Sequence, residues 1–198
     1  MENDRLKKQI EFIFEIDKLK QVYRQTLLMD GTRKENDAEH SWHLSVMSIL
    51  LSEYGLEKNI DTLRIIKMLL IHDIVEIDAG DTYCYDENPY KDKLERERKA
   101  ADRIFTILPP DQEEQFRKLW EEFEERRTPE ARFAAALDRL QPLLLNYKTN
   151  GLSWRSHGIT SEKVMDRNKN TINEGSTTLW DYAEELINNS IEKGYLPK

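Results

Sequence analysis

Two ionisable residues close an otherwise apolar stretch in the first half of the chain. His72 and Asp73 follow the apolar run 68–71, and Asp138 is a charged residue inside a second apolar stretch, 134–140. Burying a carboxylate without a partner is costly, and a bound cation is one way to offset that cost. His40 adds a second imidazole. Two imidazoles and two carboxylates would form a mixed nitrogen and oxygen site for one divalent metal ion.

Such a donor set suits Mn²⁺, Co²⁺, Fe²⁺, Ni²⁺ or Zn²⁺ and accepts Mg²⁺ less well, so the identity of the metal stays open. Adjacent residues on a straight helix point about 100° apart. His72 and Asp73 can therefore reach one ion only if it lies at the edge of their helix. Four protein ligands leave positions for water and substrate in an octahedral shell.

Each of these residues also has a purely structural interpretation. His40 could be a histidine at a helix start that only forms a hydrogen bond, and Asp73 could cap a turn. Asp138 could be the buried partner of Arg132 or Arg139. The occurrence of all four candidate ligands in order along one chain favours the metal site.

The residues around the candidate ligands form an ordered set of short motifs. They are Lys20-Gln21-Val22-Tyr23-Arg24, Glu39-His40-Ser41, His72-Asp73-Ile74-Val75-Glu76, Gly80-Asp81 and Leu137-Asp138-Arg139-Leu140-Gln141-Pro142-Leu143. This set resembles the HD-domain hydrolase superfamily, and within it the 5′-deoxynucleotidase branch, over about residues 19–146. A His-Asp dipeptide alone is weak evidence, whereas the ordered set is specific. The resemblance implies hydrolysis of (deoxy)nucleoside 5′-monophosphates to nucleoside and phosphate.

The resemblance also implies roles beyond metal binding. Glu76 would orient or deprotonate the attacking water, and its position three residues after Asp73 lets it face the same pocket. Asp81 would protonate the leaving nucleoside oxygen. Arg24 would hold the phosphate with its fork of donors, and Arg33 or the lysine after it could add phosphate contacts.

One departure from the family pattern and one missing feature limit what the sequence implies. Gln25 occupies a position that is tryptophan in the characterised deoxynucleotidases, where it is tied to sugar selection, so the preference for deoxyribose is open. No histidine lies between Asp73 and Asp138, which argues against a two-metal HD phosphodiesterase. Two alternatives remain: a hydrolase of another phosphoester, such as a nucleoside triphosphate or alarmone, and a non-catalytic protein that binds a metal or nucleotide.

Three further positions have more than one interpretation. His43 lies near the same helix face as His40, and we interpret it as a packing histidine rather than a second ligand. We expect His157 at a surface or pocket rim. Cys84 has no histidine nearby in sequence to activate it, which argues against a nucleophile.

The rest of the chain predicts helices that position these residues. With only 7 Gly and 6 Pro among 198 residues, and apolar residues three and four apart, it favours an all-α protein. We expect one HD domain over residues 1–198, with a motif-bearing core at about 19–146 and C-terminal helices packed on it. Helices are predicted over 5–28, 38–54, 61–77, 90–106, 111–127, 129–147, 161–169 and 177–193. Loops are predicted over 81–89 and 150–158. Tyr83 and Tyr85 in the first loop, and Tyr90 just after it, could line a pocket.

Composition limits the partners. The net charge of −8 makes polymeric nucleic acid a poor substrate, while a small anionic nucleotide or other phosphoester remains possible. No apolar run of membrane-spanning length and no signal-peptide core occurs, so we expect no membrane partner and a cytoplasmic location. The single cysteine fits that compartment. Relatives in the family suggest a homodimer.

Overall fold

The computed structural model describes residues 2–85 and 92–198, and this part of the chain is mostly helical, as predicted. The helices in these ranges are α1 Glu2–Ile16, α2 Asp37–Leu51, α3 Thr62–Ile71, α4 Glu76–Ala79, α5 Lys93–Phe105, α6 Pro110–Glu125, α7 Pro129–Lys148, α8 Leu152–Ser156, α9 Ser161–Gly175 and α10 Thr177–Glu192. Short 3₁₀ segments span Asp17–Gln21, Ser52–Tyr54 and His72–Val75.

The prediction of one helix over 5–28 is wrong in its second half. Helix α1 ends at Ile16, and the chain continues through a 3₁₀ turn into strand β1, Tyr23–Leu27. This strand pairs antiparallel with β2, Lys34–Asn36. The partner strand lies within ten residues along the chain, and its backbone groups satisfy those of β1. Local helix propensity is a weak prior when such a tertiary partner exists.

Helix α2 begins with a complete capping box. The Asn36 side chain accepts a hydrogen bond from the Glu39 backbone N–H, and the Glu39 carboxylate accepts one from the Asn36 N–H. Asn36 is thus the cap, and Asp37 is the first helical residue. The helix ends at Leu51, three residues before the predicted end. Because the capping box fixes where α2 begins, it also fixes the direction in which each side chain leaves the helix, and His40 points inward.

The chain changes helix type at the His-Asp pair. Helix α3 ends at Ile71, and the 3₁₀ turn from His72 leads into the single turn of α4. The pair therefore lies at a helix edge, as one shared ion would require. Gly80 ends α4 with φ +73°, a left-handed conformation that glycine adopts without a Cβ penalty. Of the loop predicted over 81–89, residues 81–85 lack regular helix, and 86–89 lie outside the described residues.

Helix α7 is the central element of the core. Its residues Ala134, Ala136 and Leu137 are completely buried, and it packs against α2, α3, α6, α9 and α10. The end of α9 approaches α7 closely, since a Cβ on Gly175 would lie 2.5 Å from the Arg132 carbonyl oxygen. The predicted loop over 150–158 contains the short helix α8. Asp138 is thus held on a helix that is packed on several sides.

None of the helices in the described ranges combines the length and apolar character needed to cross a membrane.

Candidate metal centre

Three separate elements bring the four predicted metal ligands together. His40 comes from α2, His72 and Asp73 from the 3₁₀ turn after α3, and Asp138 from α7. Nε2 of His40 lies 3.0 Å from Oδ1 of Asp138 and 3.9 Å from Oδ2 of Asp73. Nε2 of His72 lies 3.1 Å from Oδ1 of Asp73 and 3.9 Å from Oδ1 of Asp138. His40, His72 and Asp73 have ligand atoms close enough to share one metal ion.

The tautomer of His72 leaves a lone pair pointing at these carboxylates. Nδ1 lies 2.9 Å from the Leu69 carbonyl oxygen, which can only accept a hydrogen bond. Nδ1 therefore carries the hydrogen, and in the neutral ring Nε2 carries the lone pair. This buried Nε2 has no hydrogen-bond partner among the described residues. The ring packs on Phe123, with centroids 4.7 Å apart, which fixes its plane.

His40 is arranged in the same way. Its Nδ1 lies 3.1 Å from Oε1 of Gln141, and its Nε2 faces Asp138. The ring has no exposed surface. Burial, reinforced by the charge of Arg24, lowers the pKa of His40 to about 4 despite the nearby carboxylates, so the ring is neutral at physiological pH.

The two imidazoles and two carboxylates fit a divalent cation. Burial lowers the pKa of His72, but the carboxylates of Asp73 and Asp138 outweigh it and the net shift is upward. Burial raises the pKa of Asp138, yet the neighbouring imidazoles of His40 and His72 and the charge of Arg139 hold it well below its ordinary value. Lone pairs and anionic oxygens thus converge on one buried point. Only a proton or a cation placed among these groups offsets their mutual repulsion and the cost of burying them.

A second group of carboxylates adjoins this point. Asp37, Asp73 and Glu76 are buried, and their oxygens are also close enough to hold a metal ion. Burial, together with the charges of Asp73, Asp37 and Asp81, raises the pKa of Glu76 well above its ordinary value. Oε2 of Glu76 has no hydrogen-bond partner among the described residues. A carboxylate in this state is poised to receive a hydrogen bond or a proton from a group entering the site.

Asp37 was not identified as a site residue from the sequence. The residue is completely buried, and burial with the charge of Asp73 raises its pKa to about 7. A charged residue directly after a helix cap usually indicates an interaction with the helix dipole. Asp37 becomes part of the site only in the folded chain, where the hairpin and the His-Asp turn lie beside it.

Arg24 is a cation that contacts these acids directly. Its Nη1 donates to Oδ2 of Asp73 at 3.1 Å and to Oδ1 of Asp37 at 3.4 Å. Strand β1 carries it, and its Nε lies 3.9 Å from Glu35 on β2. The side chain is 14% exposed and lines the cavity over the centre. It is therefore within reach of an anion in that cavity, although it is already paired with carboxylates.

A cavity of about 80 Å³ opens above the metal centre. Asp81, Tyr83 and Tyr85 line it together with Glu76 and Arg24, as the sequence predicted for the two tyrosines. Burial raises the pKa of Asp81, and the neighbouring Asp73 raises it further against the opposing charge of Arg24.

Other lining residues were not identified from the sequence. They include Lys93, Arg139, Pro142, Leu143, Asn146, Arg167 and Asn168. They come from α5, α7 and α9, and no local pattern distinguishes them from ordinary helix residues. Cys84 also lines the cavity, while Tyr90 lies outside the described residues.

Two predicted positions lie away from the centre. The Arg33 guanidinium is 49% exposed and forms a two-point contact with the Glu39 carboxylate, and the residue does not line the cavity. Its role in phosphate binding stays a prediction. His157 packs against Tyr83 with ring centroids 4.7 Å apart, at the rim of the cavity.

Comparison with known proteins places the chain in a family. Residues 16–180 match the HD domain family, and the chain belongs to it. A crystal structure of a "Predicted metal-dependent phosphohydrolase" from Magnetospirillum magnetotacticum MS-1 shares 53% of its sequence. It superposes with a TM-score of 0.94 over 98% of this chain and 97% of that one. An HD-domain phosphohydrolase from Listeria innocua, 15% identical with a TM-score of 0.58, covers 93% of this chain and 82% of its own and shares the fold.

Curated relatives are more distant in sequence. The 5′-deoxynucleotidase HDDC2 of Homo sapiens is 29% identical over 136 residues, 68% of this chain and 65% of the relative. The mouse protein of the same name is 30% identical over 136 residues, 68% of this chain and 66% of the relative. The chain thus spans just under two thirds of the length of these relatives.

Proposed function

We propose that this chain is a metal-dependent phosphohydrolase that hydrolyses (deoxy)nucleoside 5′-monophosphates to nucleoside and phosphate. The observation that carries the proposal is the convergence of two imidazole lone pairs and two carboxylates at the floor of a cavity that also holds Arg24, Glu76 and Asp81. Binding a metal alone requires only the first four groups. Hydrolysis of a phosphate ester also requires a base and a cation for the phosphate, and Glu76, with one unpartnered oxygen, and Arg24 are placed to supply them.

His40, His72, Asp73 and Asp138 would hold one divalent ion. When bound, such an ion lowers the pKa of water and neutralises charge on phosphate oxygens. Nitrogen and oxygen donors of this kind leave Mn²⁺, Co²⁺, Fe²⁺, Ni²⁺, Zn²⁺ and Mg²⁺ as candidates. The protein's part is to hold the ring planes, and the Leu69 carbonyl and Phe123 do so for His72.

Three other side chains would act on substrate and water. Arg24 would donate to the phosphate oxygens, since its guanidinium borders the cavity. Glu76 would accept a proton from the attacking water, and its raised pKa makes it a stronger base once ionised. Asp81, with a raised pKa, would deliver a proton to the leaving nucleoside oxygen. Arg33 would contribute a phosphate contact only if it left Glu39.

The cavity walls suit a nucleoside. Tyr83 and Tyr85 offer aromatic faces, and Asn146 and Asn168 offer amides that can form hydrogen bonds with a base. Gln25 lines the same cavity, and its side-chain oxygen accepts a hydrogen bond from Lys34 at 2.8 Å. A polar residue at this place leaves room for either ribose or deoxyribose.

The test is phosphate release from matched ribo- and deoxyribonucleoside 5′-monophosphates by metal-stripped protein. Mn²⁺, Co²⁺, Mg²⁺ or Zn²⁺ is added back singly, and nucleoside triphosphates serve as competing substrates. We expect metal-dependent release from monophosphates. Release from triphosphates alone would move the activity to another phosphoester, and binding without release from any substrate would support a non-catalytic protein.

Three further predictions from the sequence stay predictions: the cytoplasmic location, the homodimer and a single HD domain over residues 1–198.

A further inference from the structure

We propose that Gln141 is a positioning residue of the metal centre: its side-chain amide fixes which ring nitrogen of His40 carries hydrogen and so aims the Nε2 lone pair at Asp138. This inference rests on the metal centre of the proposed function. Gln141 is completely buried on α7, one helical turn after Asp138. It contacts His40 across 101 positions of sequence.

Two acceptors set the orientation of the Gln141 amide. Its Nε2 donates to Oε1 of Glu35 at 2.7 Å and lies 3.2 Å from Nδ1 of His43. Above its raised pKa of about 7 the Glu35 carboxyl group is ionised and only accepts, so the NH₂ group must face it. The reversed amide would bring two oxygens together at hydrogen-bond distance inside a buried site. The amide oxygen is thereby directed at His40.

The direction of that oxygen determines the tautomer of His40. Oε1 of Gln141 lies 3.1 Å from Nδ1 of His40 and can only accept, so Nδ1 carries the hydrogen. In the neutral ring, Nε2 then keeps its lone pair, 3.0 Å from Asp138. The other tautomer would set the Nδ1 lone pair against the amide oxygen, and no water reaches this buried ring to relieve it.

This chain of contacts also gives His43 a role. Its Nδ1 accepts the second N–H of the Gln141 amide rather than facing the metal ligands. Glu35 and His43 accept the two N–H groups of the buried Gln141 amide, and His40 donates to its oxygen. Hydrogen bonds of this kind behind a metal ligand typically contribute about 10- to 100-fold to metal affinity.

The test uses three variants of the full chain. Gln141→Leu removes every hydrogen bond of the amide at similar volume. Gln141→Glu keeps an acceptor for His40 but sets two carboxylates against each other at the Glu35 contact. The double variant Glu35→Gln/Gln141→Glu exchanges the two groups, so the new amide at 35 can donate to the new carboxylate at 141. Ser48→Ala removes a different buried hydrogen bond on α2, to the Ser45 carbonyl, and serves as the control.

Two measurements test the role of Gln141 without an activity assay. Calorimetric titration with Mn²⁺ gives the dissociation constant, and the ¹⁵N chemical shifts of the four histidines report the tautomers in metal-free protein. We expect Gln141→Leu and Gln141→Glu to weaken Mn²⁺ binding roughly 10- to 100-fold, with a mixed His40 tautomer in Gln141→Leu. We expect the double variant to recover most of the Mn²⁺ affinity that Gln141→Glu loses. Ser48→Ala should bind Mn²⁺ as tightly as the wild type does.

Either of two results would overturn the proposal. One is a wild-type His40 that carries its hydrogen on Nε2. The other is a double variant that binds Mn²⁺ no better than Gln141→Glu does. This comparison tests the role of the amide even if Gln141→Leu does not fold. A wild-type protein without phosphatase activity, but with these tautomers and affinities, would refute the proposed function and leave this inference intact.

Discussion

Nε2 of His40 lies 3.0 Å from Oδ1 of Asp138, although 98 positions separate the two residues. Helices α2 and α7 pack against each other, and this contact joins them at the buried end of the cavity. Since both atoms are acceptors in the tautomer described above, the contact is favourable only with a cation or proton between them.

Removing Asp138 should abolish metal binding. Asp138→Asn replaces a carboxylate that faces both imidazoles by an amide that cannot supply the charge. We expect the Mn²⁺ dissociation constant to rise at least about 100-fold and metal-dependent phosphate release to be lost, and the same holds for His72→Asn. Calorimetry and a phosphate assay measure the two effects. Asp181→Asn, an exposed aspartate on α10, is the matched control, and an active Asp138→Asn protein would refute the assignment.

Glu76 should separate catalysis from metal binding. Glu76→Gln keeps the shape of a buried side chain but removes the base, so kcat should fall about 100-fold or more. The Mn²⁺ affinity should stay within a few-fold of wild type, because the four other residues hold the ion. Steady-state kinetics and calorimetry on the same sample give both values, with the exposed Glu174→Gln as a control. A matching loss of Mn²⁺ binding would make Glu76 a metal ligand instead.

Arg24 and Arg33 should differ in their effect on substrate binding. Arg24 borders the cavity, whereas Arg33 is bound to Glu39 outside it. We expect Arg24→Ala to raise KM about ten-fold or more, as loss of a charge-assisted phosphate contact does, and Arg33→Ala to leave KM unchanged. Initial rates over a range of monophosphate concentrations decide between them. A raised KM in Arg33→Ala would restore the phosphate contact that the sequence predicted for it.

Metal-free protein should lose stability as pH rises. Burial raises the pKa of Glu35 from 4.5 to about 7, so the folded state holds this proton more tightly than the unfolded chain does. The resulting stability is complete below pH 4.5 and is lost as pH rises through about 7. We expect Glu35→Gln to remove part of this decline, up to about 3 kcal/mol.

Urea unfolding in EDTA between about pH 5 and pH 8 measures this effect as a free energy of unfolding. Glu185→Gln, at an exposed position on α10, should leave the decline unchanged. Asp37 shares the direction of the shift, so some decline should remain in Glu35→Gln. A wild-type protein whose metal-free stability increases over this range would contradict the burial of these uncompensated acids.

Much of the helical framework was predictable, because periodic apolar residues and helix caps act over a few positions. The start of α7 at Pro129 and that of α10 at Thr177 match the prediction. The hairpin after Ile16 was not predictable, since β1 is stabilised by its pairing with β2 rather than by its own propensity.

The sequence by itself determined which residue types could bind a metal and the order in which they occur. Only the tertiary structure decided that Asp37, Glu35 and Gln141 belong with them. A buried carboxylate or amide differs from a solvated one only in what surrounds it, and those surroundings come from segments up to 106 positions away. Patterns along the chain report local periodicity, whereas burial and hydrogen bonding are fixed by the packing of distant helices.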